Sequence, residues 1–326
     1  MRAPLRALLA LAAFGFVPLC AAPAAAAACT AAEKAEGNRI LASFSSDPTK
    51  VAAAVAAHLP WGAPVPTMPT THERMLVQDD YVIDYDDSLR VPIWTAERIQ
   101  RGRLDEGIAR QDCFRADPRL SADASSAPSD YAEPIYDQGH MTPFADQRYS
   151  KMAGINSFVM TNMAPQNCQL NRGIWQILEQ ITRRWAARHD DLYVFNGSVF
   201  DRDGNGVRDP DSAATHMRSN NGRERVAVPS AFFKVIAFRQ PDGTVETLSV
   251  MLPHDTSNPN GQAALTYLSQ HITDLATLER LMGLDLFPGA TRIHENHSLW
   301  TFDGYKPSSL CHARAQPAAG SGGGGR

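Results

Sequence analysis

Short stretches rich in apolar and β-forming residues recur along this chain and predict β-strands. The first two, MLVQDDYVIDYDD and RVPIWTAERI, follow a Pro-rich connector. Three more, LYVFNGSVF, AFFKVIAFR and ETLSVMLP, lie in the second half of the chain. A shorter apolar stretch, SFVMTNMAP, predicts a buried strand between these two groups, and the turn-forming residues of 116–134 predict a loop.

Apolar residues at helical spacing predict the helices. The clearest pattern is GIWQILEQITRRWAARH, and further helices are predicted at GQAALTYLSQHI, at DLATLERLMG and in the alanine-rich stretches of residues 29–60. Strands and helices are interspersed without the regular alternation of parallel βαβ units. The pattern therefore predicts an α+β fold built on an antiparallel sheet.

The first 28 residues have the composition of an export signal. Arg2 and Arg6 form a basic start, LLALAAFGFVPLC is apolar, and alanines at 24–28 suit cleavage by signal peptidase. The apolar stretch is too short for a membrane span, and the bulky Leu19 argues against a lipid anchor at Cys20. We expect a signal peptide at 1–28 and a secreted or periplasmic mature protein with no membrane attachment.

The rest of the chain divides by composition. Residues 29–70 predict an N-terminal helical segment and Pro-rich connector, residues 71–315 one large domain, and residues 316–326 a disordered Gly-rich tail. The overall composition, 44% hydrophobic and 20% charged, is that of a globular protein.

Four cysteines follow the predicted signal, and an oxidising compartment favours two disulfides among them. Three pairings are open, and our working hypothesis joins Cys29 to Cys311 and Cys113 to Cys168. The chain has no CxxC pair, which argues against a structural zinc knuckle.

The net charge of −4 does not by itself indicate a nucleic-acid-binding protein. Arginines nevertheless gather between residues 98 and 119 and again between 172 and 188. Because acidic residues lie among them, composition alone favours a solvated surface.

The stretch YDQGHMTPFAD holds the first candidate for chemistry, His140. A lone histidine in a turn is more often structural, but Asn171 follows at the entrance to a predicted helix, and Glu179 and Arg183 lie one turn apart on it. Phosphodiester hydrolysis requires a group that accepts a proton from the attacking water, and histidine can do this near neutral pH. It also requires that the negative charge of the phosphate be screened. An asparagine oxygen suits a sparse magnesium site, and an arginine fork suits phosphate.

Each of these residues also has a structural interpretation. Asn171 could cap its helix, and Glu179 with Arg183 could form a surface ion pair. Asp137, or a backbone carbonyl near it, is the candidate to orient the imidazole of His140.

The linked motifs resemble those of the DNA/RNA non-specific endonucleases, the ββα-metal nucleases related to mitochondrial endonuclease G. Here they are DQGH at 137–140, TNMAPQ at 161–166, LNRGIWQILE at 170–179 and then Arg183, with DLATLERLMGLDLFP similar to the closing helix. The resemblance covers roughly residues 75–300. It implies a ββα-metal finger on a central, mostly antiparallel sheet flanked by helices.

The resemblance also implies residue roles. His140 would be the general base, Asn171 the direct ligand of Mg²⁺ (with Mn²⁺ as a substitute), Glu179 the residue that positions metal-bound water, and Arg183 a phosphate contact. A supporting shell would comprise Asp137, Asn162 and Gln166.

Two positions depart from the family pattern. Gln138 stands where the family has an arginine, which removes a cation expected near the phosphate. A second family arginine matches Asp112, so Arg110 or Arg115 is the candidate to replace that phosphate contact.

The loop DRDGNGVRD resembles the start of a calcium-binding loop. Asp201, Asp203, Asn205 and Asp209 fall at ligand positions, but Ser212 stands where a bidentate glutamate is expected. Structural Ca²⁺ and a polar hairpin turn are equally supported here.

The sequence thus predicts an exported Mg²⁺-dependent endonuclease that hydrolyses DNA and RNA with little sequence specificity. One alternative is a weakened nuclease-fold protein that binds nucleic acid without cutting it. A second alternative is a secreted phosphodiesterase for small substrates, in keeping with the acidic net charge.

Overall fold

The structure, a computed structural model, describes residues 27–69, 72–104, 107–218 and 224–306. Its strands are β1 (Ala27–Ala28), β2 (Val65–Pro66), β3 (Glu73–Val77), β4 (Val82–Asp86), β5 (Val91–Gln100), β6 (Gln111–Asp112), β7 (Tyr136–His140), β8 (Met163–Asn167), β9 (Asp191–Val199), β10 (His216–Arg218), β11 (Glu224–Ala227), β12 (Ala231–Arg239), β13 (Val245–Pro253), β14 (Ile272–Thr273), β15 (Leu284–Asp285) and β16 (Ile293–His294). Its α-helices are α1 (Ala31–Ser45), α2 (Pro48–His58), α3 (Phe144–Gln147), α4 (Lys151–Asn156), α5 (Gln176–Ala186), α6 (Gln262–Gln270) and α7 (Leu275–Met282).

A central sheet runs in the order β14-β13-β12-β9-β5-β4-β3, with every neighbouring pair antiparallel, and β16 pairs in parallel with β13. Both faces of β12 are buried, because helices and loops cover the two sides of the sheet. The predicted β-rich segments form strands of this sheet, with MLVQDDYVIDYDD divided between β3 and β4, and the α+β class with a mostly antiparallel sheet is confirmed.

A β-hairpin followed by a helix lies against this sheet. Strands β7 and β8 pair antiparallel, with His140 opposite Met163. A π-helical segment, Leu170–Trp175, then leads into α5, which buries Ile177, Leu178, Ile181 and Trp185. The predicted ββα finger is therefore present.

Two predicted boundaries differ from the structure. Gly173 has non-helical dihedral angles (φ −107°, ψ −112°), so the α-helix predicted from residue 173 begins only at Gln176. The strand predicted at SFVMTNMAP is partly wrong, because Met160–Asn162 forms a 3₁₀ turn and β8 begins at Met163.

The N-terminal helices pack on the body of the molecule. Thr30 and Glu33 form a capping box at the start of α1, and Phe44 of α1 belongs to the main hydrophobic core. Trp61, after α2, contacts Tyr193 and Phe287 edge to face at centroid distances of 4.9 and 5.4 Å. Side chains of α1, of α2 and of the segment after α2 thus belong to the same hydrophobic core as the sheet.

The predicted signal peptide, except for its last two residues, and the predicted Gly-rich tail lie outside the described residues. Within the described ranges, no helix is long and apolar enough to span a bilayer.

The hypothesis about disulfide pairing is wrong. Cys29 is bonded to Cys113, because β1 runs parallel to β6 and pairs Ala28 with Asp112, the residues just before each cysteine. Cys168 is also disulfide-bonded.

The Cys29–Cys113 bond joins residues 84 positions apart, so it restricts a large loop of the unfolded chain. We expect the double variant Cys29→Ser/Cys113→Ser to lose about 2–4 kcal/mol of unfolding free energy. Urea denaturation of both proteins under non-reducing conditions measures this loss. An unchanged denaturation midpoint would contradict the stabilising role of the bond.

Candidate active site

A cleft of about 670 Å³ lies where β7, the π-helical segment and α5 meet the chain before Phe114. Its lining comprises Arg110, Asp112, Phe114, Asp137, Gln138, His140, Pro143, Phe144, Ala145, Asn171, Arg172, Gln176, Glu179, Gln180 and Arg183. The four residues predicted as catalytic and the predicted metal ligand therefore share one cleft.

His140 ends β7 and is only 8% exposed. Its ring packs edge to face on Phe158, with centroids 4.6 Å apart, and its Nε2 atom has no hydrogen-bond partner within the described residues. Burial, and to a lesser extent the charge of Arg110, holds the pKa of His140 well below its usual value. The imidazole is consequently neutral at neutral pH, the form that accepts a proton.

Asn171 lies inside the π-helical segment and does not cap a helix. Its Nδ2 donates to Oδ2 of Asp137 at 2.9 Å, while Arg172 donates to both oxygens of the same carboxylate at 2.7 and 2.6 Å. Asp137 therefore fixes Asn171 and Arg172, and the expectation that its carboxylate orients His140 is not met. With Nδ2 held in this way, Oδ1 is the group of Asn171 left for a ligand.

Glu179 and Arg183 do not form the ion pair that their spacing suggests. Arg183 instead donates to Asp146 at 2.8 Å, and the carboxylate of Asp146 is buried. Burial raises the pKa of Glu179 to about 7, against the lowering influence of Arg183 and Lys234. The cleft thus holds a carboxyl group whose charge changes near neutral pH.

The two candidate phosphate-contacting arginines differ in position. Arg110 lines the cleft, donates to Asp112 at 2.8 Å and lies 5.0 Å from the ring centroid of Phe158. Arg115 is buried, and its guanidinium group donates to Asn38, Asn156 and two backbone carbonyls. The proposed phosphate contact by Arg115 is therefore wrong, because no part of its guanidinium faces the cleft.

Asn162 supports the chain after His140. Its Oδ1 accepts from the backbone N–H of Thr142 at 2.9 Å, and its Nδ2 donates to the carbonyls of Thr142 and Ser157. This amide is fully used, so it shapes the loop and is not available to a metal.

Gln166 is fully buried, and both polar atoms of its side chain lack a hydrogen-bond partner in the described part of the chain. Its carboxamide lies directly over Gly139, where a methyl group would overlap it. The glycine of DQGH is thus required by close packing within the hairpin.

We expect Gly139→Ala to cost about 1–3 kcal/mol of unfolding free energy and to displace His140, because the added methyl group overlaps the buried side chain of Gln166. Gly139→Ala/Gln166→Ala should recover part of both stability and activity. Thermal denaturation and cleavage assays measure the effect, with Gly102→Ala as control because a methyl group there meets nothing within 4 Å. A Gly139→Ala protein with unchanged stability would contradict this account.

Three residues that contribute near the site were not among the predicted site residues. Asp146 pairs with Arg183, and Arg172 pairs with Asp137. His254 hydrogen-bonds the backbone of the turn before Asn171. The Nδ1 atom of His254 donates to the carbonyl of Pro229 at 2.7 Å, so its Nε2 accepts from the backbone N–H of Asn167 at 2.6 Å. Their contributions become visible only in the folded structure, because each of the three contacts a residue that is far away in the sequence.

The predicted calcium loop is an exposed turn between β9 and β10. Asp201 and Asp203 accept hydrogen bonds from the backbone N–H of Asn205, and Asp209 accepts from that of Arg202. These contacts are those of a polar turn. Among the described residues no cluster of three or more His, Cys, Asp or Glu side chains is arranged to bind a metal, so Ca²⁺ stays a prediction.

The cleft residues fit a sparsely ligated magnesium ion. Mg²⁺ prefers oxygen ligands and retains several waters, so it needs few protein groups. The oriented Oδ1 of Asn171 supplies one such oxygen, and Glu179 supplies a carboxylate at the same cleft.

A β-hairpin that presents a histidine, followed by a helical segment that presents an asparagine and a glutamate, defines a ββα-metal architecture. A family model described as DNA/RNA non-specific endonuclease matches residues 64–292. The chain therefore belongs to the DNA/RNA non-specific endonuclease family.

Known proteins of this kind resemble the chain over most of its length. It is 27% identical to the mitochondrial nuclease EXOG of Homo sapiens over 239 residues, which cover 72% of this chain and 62% of that protein. It is 31% identical to Nuclease C1 of Cunninghamella echinulata var. echinulata over 226 residues, 67% of this chain and 84% of that nuclease. The chain thus spans less than two thirds of the length of human EXOG.

A solved structure also matches the fold. The crystal structure of an EndoG/EndoGI complex, described by its authors as showing the mechanism of EndoG inhibition, superposes with a TM-score of 0.57. The two chains are 25% identical, and the match covers 74% of this chain and 96% of the other.

Proposed function

We propose that this protein is an exported, magnesium-dependent endonuclease that hydrolyses phosphodiester bonds of DNA and RNA with little sequence preference. The observation that carries the proposal is the juxtaposition in one cleft of a buried, neutral His140 and an Asn171 whose Oδ1 is oriented by Asp137. Membership of the endonuclease family supports the same activity.

In this proposal the imidazole of His140, which lines the cleft, accepts the proton of the attacking water, a contribution typically worth roughly 10²–10⁴-fold in rate. Glu179 orients water in the cleft through its carboxylate, and Asp146 holds the guanidinium group of Arg183 in position. Arg183 and Arg110 face the phosphate oxygens from the cleft wall.

Asn171, together with water, would hold the magnesium ion, which when bound stabilises the negative charge that develops on the phosphate oxygens. Contacts made mainly to phosphates carry no direct sequence information, which accounts for the weak sequence preference. Export is supported by the predicted signal peptide and by the disulfide bonds.

The pH dependence follows from the two titrating groups. The pKa of His140 is well below its usual value, so His140 stays neutral, whereas the pKa of Glu179 is raised to about 7 and its carboxylate forms as the pH rises. We expect the cleavage rate to increase between pH 6 and 8, and Glu179→Gln to be slow with that increase removed. Initial cleavage rates measured at constant ionic strength and Mg²⁺ concentration give this pH dependence. A wild-type rate that is constant or falls between pH 6 and 8 would contradict the role assigned to Glu179.

The proposed activity is tested by incubating purified mature protein with plasmid DNA and with RNA, in Mg²⁺ and in chelator. We expect both nucleic acids to be cut internally only with the metal. Intact nucleic acid in Mg²⁺ would refute the nuclease assignment. If the protein still bound that nucleic acid, it would be a nuclease-fold protein that binds without cutting, in keeping with the loss of the arginine at position 138.

A further inference from the structure

A second cleft of about 700 Å³ lies at the far end of α5 from His140, beside the end of β5, the start of β9 and the end of β12. Its lining comprises Arg101, Arg188, His189, Asp190, Asp191, Tyr193, Phe238, Arg239, Gln240, Pro241 and Leu299. It is as large as the catalytic cleft and shares none of its residues.

Three arginines of this second cleft are weakly engaged. Arg239 is exposed, lies 5.4 Å over the ring of Trp61 and has no ion pair with a described carboxylate. Arg101 pairs at 3.2 Å with Asp190, whose side chain is 94% exposed, and Arg188 lies 3.6 Å from Asp303. Exposed pairs of this kind are worth little in water, so the guanidinium groups are available to an anion.

An aromatic stack adjoins these arginines. His189 lies nearly parallel to Phe238, with ring centroids 4.0 Å apart and an interplanar angle of 29°. Burial, together with the charges of Arg101 and Arg188, lowers the pKa of His189 and keeps its ring neutral. Arginines beside a flat aromatic surface are the combination that binds the phosphates and unstacked bases of a single strand.

The three arginines of the second cleft exceed its two carboxylates, Asp190 and Asp191, by one, whereas the side chains of the catalytic cleft have no excess positive charge. The lining of the catalytic cleft contains three arginines and three carboxylates, and Gln138 carries no charge. The arginines are Arg110, Arg172 and Arg183, and the carboxylates are Asp112, Asp137 and Glu179. For a protein of net charge −4 that acts on a polyanion, cationic side chains outside the catalytic cleft add attraction that the side chains of that cleft do not supply.

We infer that the second cleft is an additional binding site for a single-stranded segment of nucleic acid, with phosphates on Arg101, Arg188 and Arg239 and a base against the His189–Phe238 stack. The inference rests on the proposed function for the identity of the polymer. Helix α5, about 16 Å long, separates the two clefts, so a strand must be long enough to span that helix to reach both.

The test uses Arg101→Ala/Arg239→Ala, made in the full chain with His140→Ala so that the ligand stays intact. Fluorescence anisotropy with a 40-nucleotide single strand at several salt concentrations gives Kd and its salt dependence. Loss of two phosphate contacts should raise Kd several-fold at low salt and reduce the salt slope by about 1.4. Arg292→Ala, an exposed arginine outside both clefts, is the matched control and should leave binding unchanged.

In the otherwise wild-type chain, the double variant should cut a four-nucleotide substrate at the wild-type rate and long strands more slowly at low substrate concentration. Arg101→Lys/Arg239→Lys should retain most of the binding, which separates loss of charge from loss of folding. Unchanged Kd and salt slope in the alanine variant would overturn the second site. Failure of the wild-type protein to cut any substrate would overturn the nuclease proposal alone, because the binding comparison does not depend on cleavage.

Discussion

Replacement of His140 by alanine is expected to reduce the cleavage rate by about 10²–10⁴-fold, because it removes the neutral imidazole that accepts the proton of water. Because the ring is buried against Phe158, the alanine variant also loses packing, so its stability is measured beside its rate. Supercoiled plasmid relaxation in Mg²⁺, followed over time, measures the rate.

His297→Ala is the matched control, because His297 is exposed and lies outside the cleft. It should cut plasmid at the wild-type rate. Circular dichroism of His140→Ala should match the wild type. If His140→Ala cuts as fast as wild type, another group takes the proton and the assignment of the base fails.

Asn171→Ala is expected to lose more than about 100-fold in rate, since charge stabilisation by a bound metal is worth several kcal/mol. The variant also loses the hydrogen bond to Asp137, but Arg172 still holds that carboxylate through two hydrogen bonds. Cleavage rates across a Mg²⁺ titration, together with calorimetric measurement of Mg²⁺ binding, separate weaker metal binding from slower chemistry.

Asn260→Ala serves as the control for Asn171→Ala, because Asn260 is an exposed asparagine outside the cleft. It should show the wild-type Mg²⁺ dependence. Wild-type Mg²⁺ affinity in Asn171→Ala would remove this residue from the metal site, whatever its rate of cleavage.

The elements of the central sheet could be predicted because their signal is local. Strands β9, β12 and β13 alternate or run apolar over nine residues each, and the apolar spacing of α5 is equally regular. The start of α5 could not be predicted, because Gly173 is non-helical where it packs closely against Asn258. Asn258 belongs to a loop that is distant in the sequence, so no local pattern indicates this contact.

The cleft was predictable only in part for the same reason. The motifs brought forward His140, Asn171, Glu179 and Arg183, all of which line it. They could not show that Arg183 pairs with Asp146, because a spacing of four residues on a helix favours Glu179 as its partner until the fold supplies a competitor.

Arg110 and Arg115 illustrate the limit most clearly. Both lie near Cys113, and the sequence offers no reason to prefer one. Their positions diverge because α1 brings Asn38 to one side of this segment, where it accepts a hydrogen bond from Arg115, while Arg110 stays 47% exposed in the cleft.

The bond between Cys29 and Cys113 has a practical consequence for anyone who prepares this protein. Cys113 lies between Asp112 and Phe114, and both neighbours line the catalytic cleft. A purification tag joined directly before Cys29 therefore emerges beside the entrance used by the substrate. The length of the spacer, or removal of the tag by protease, will then decide how readily long polymers enter.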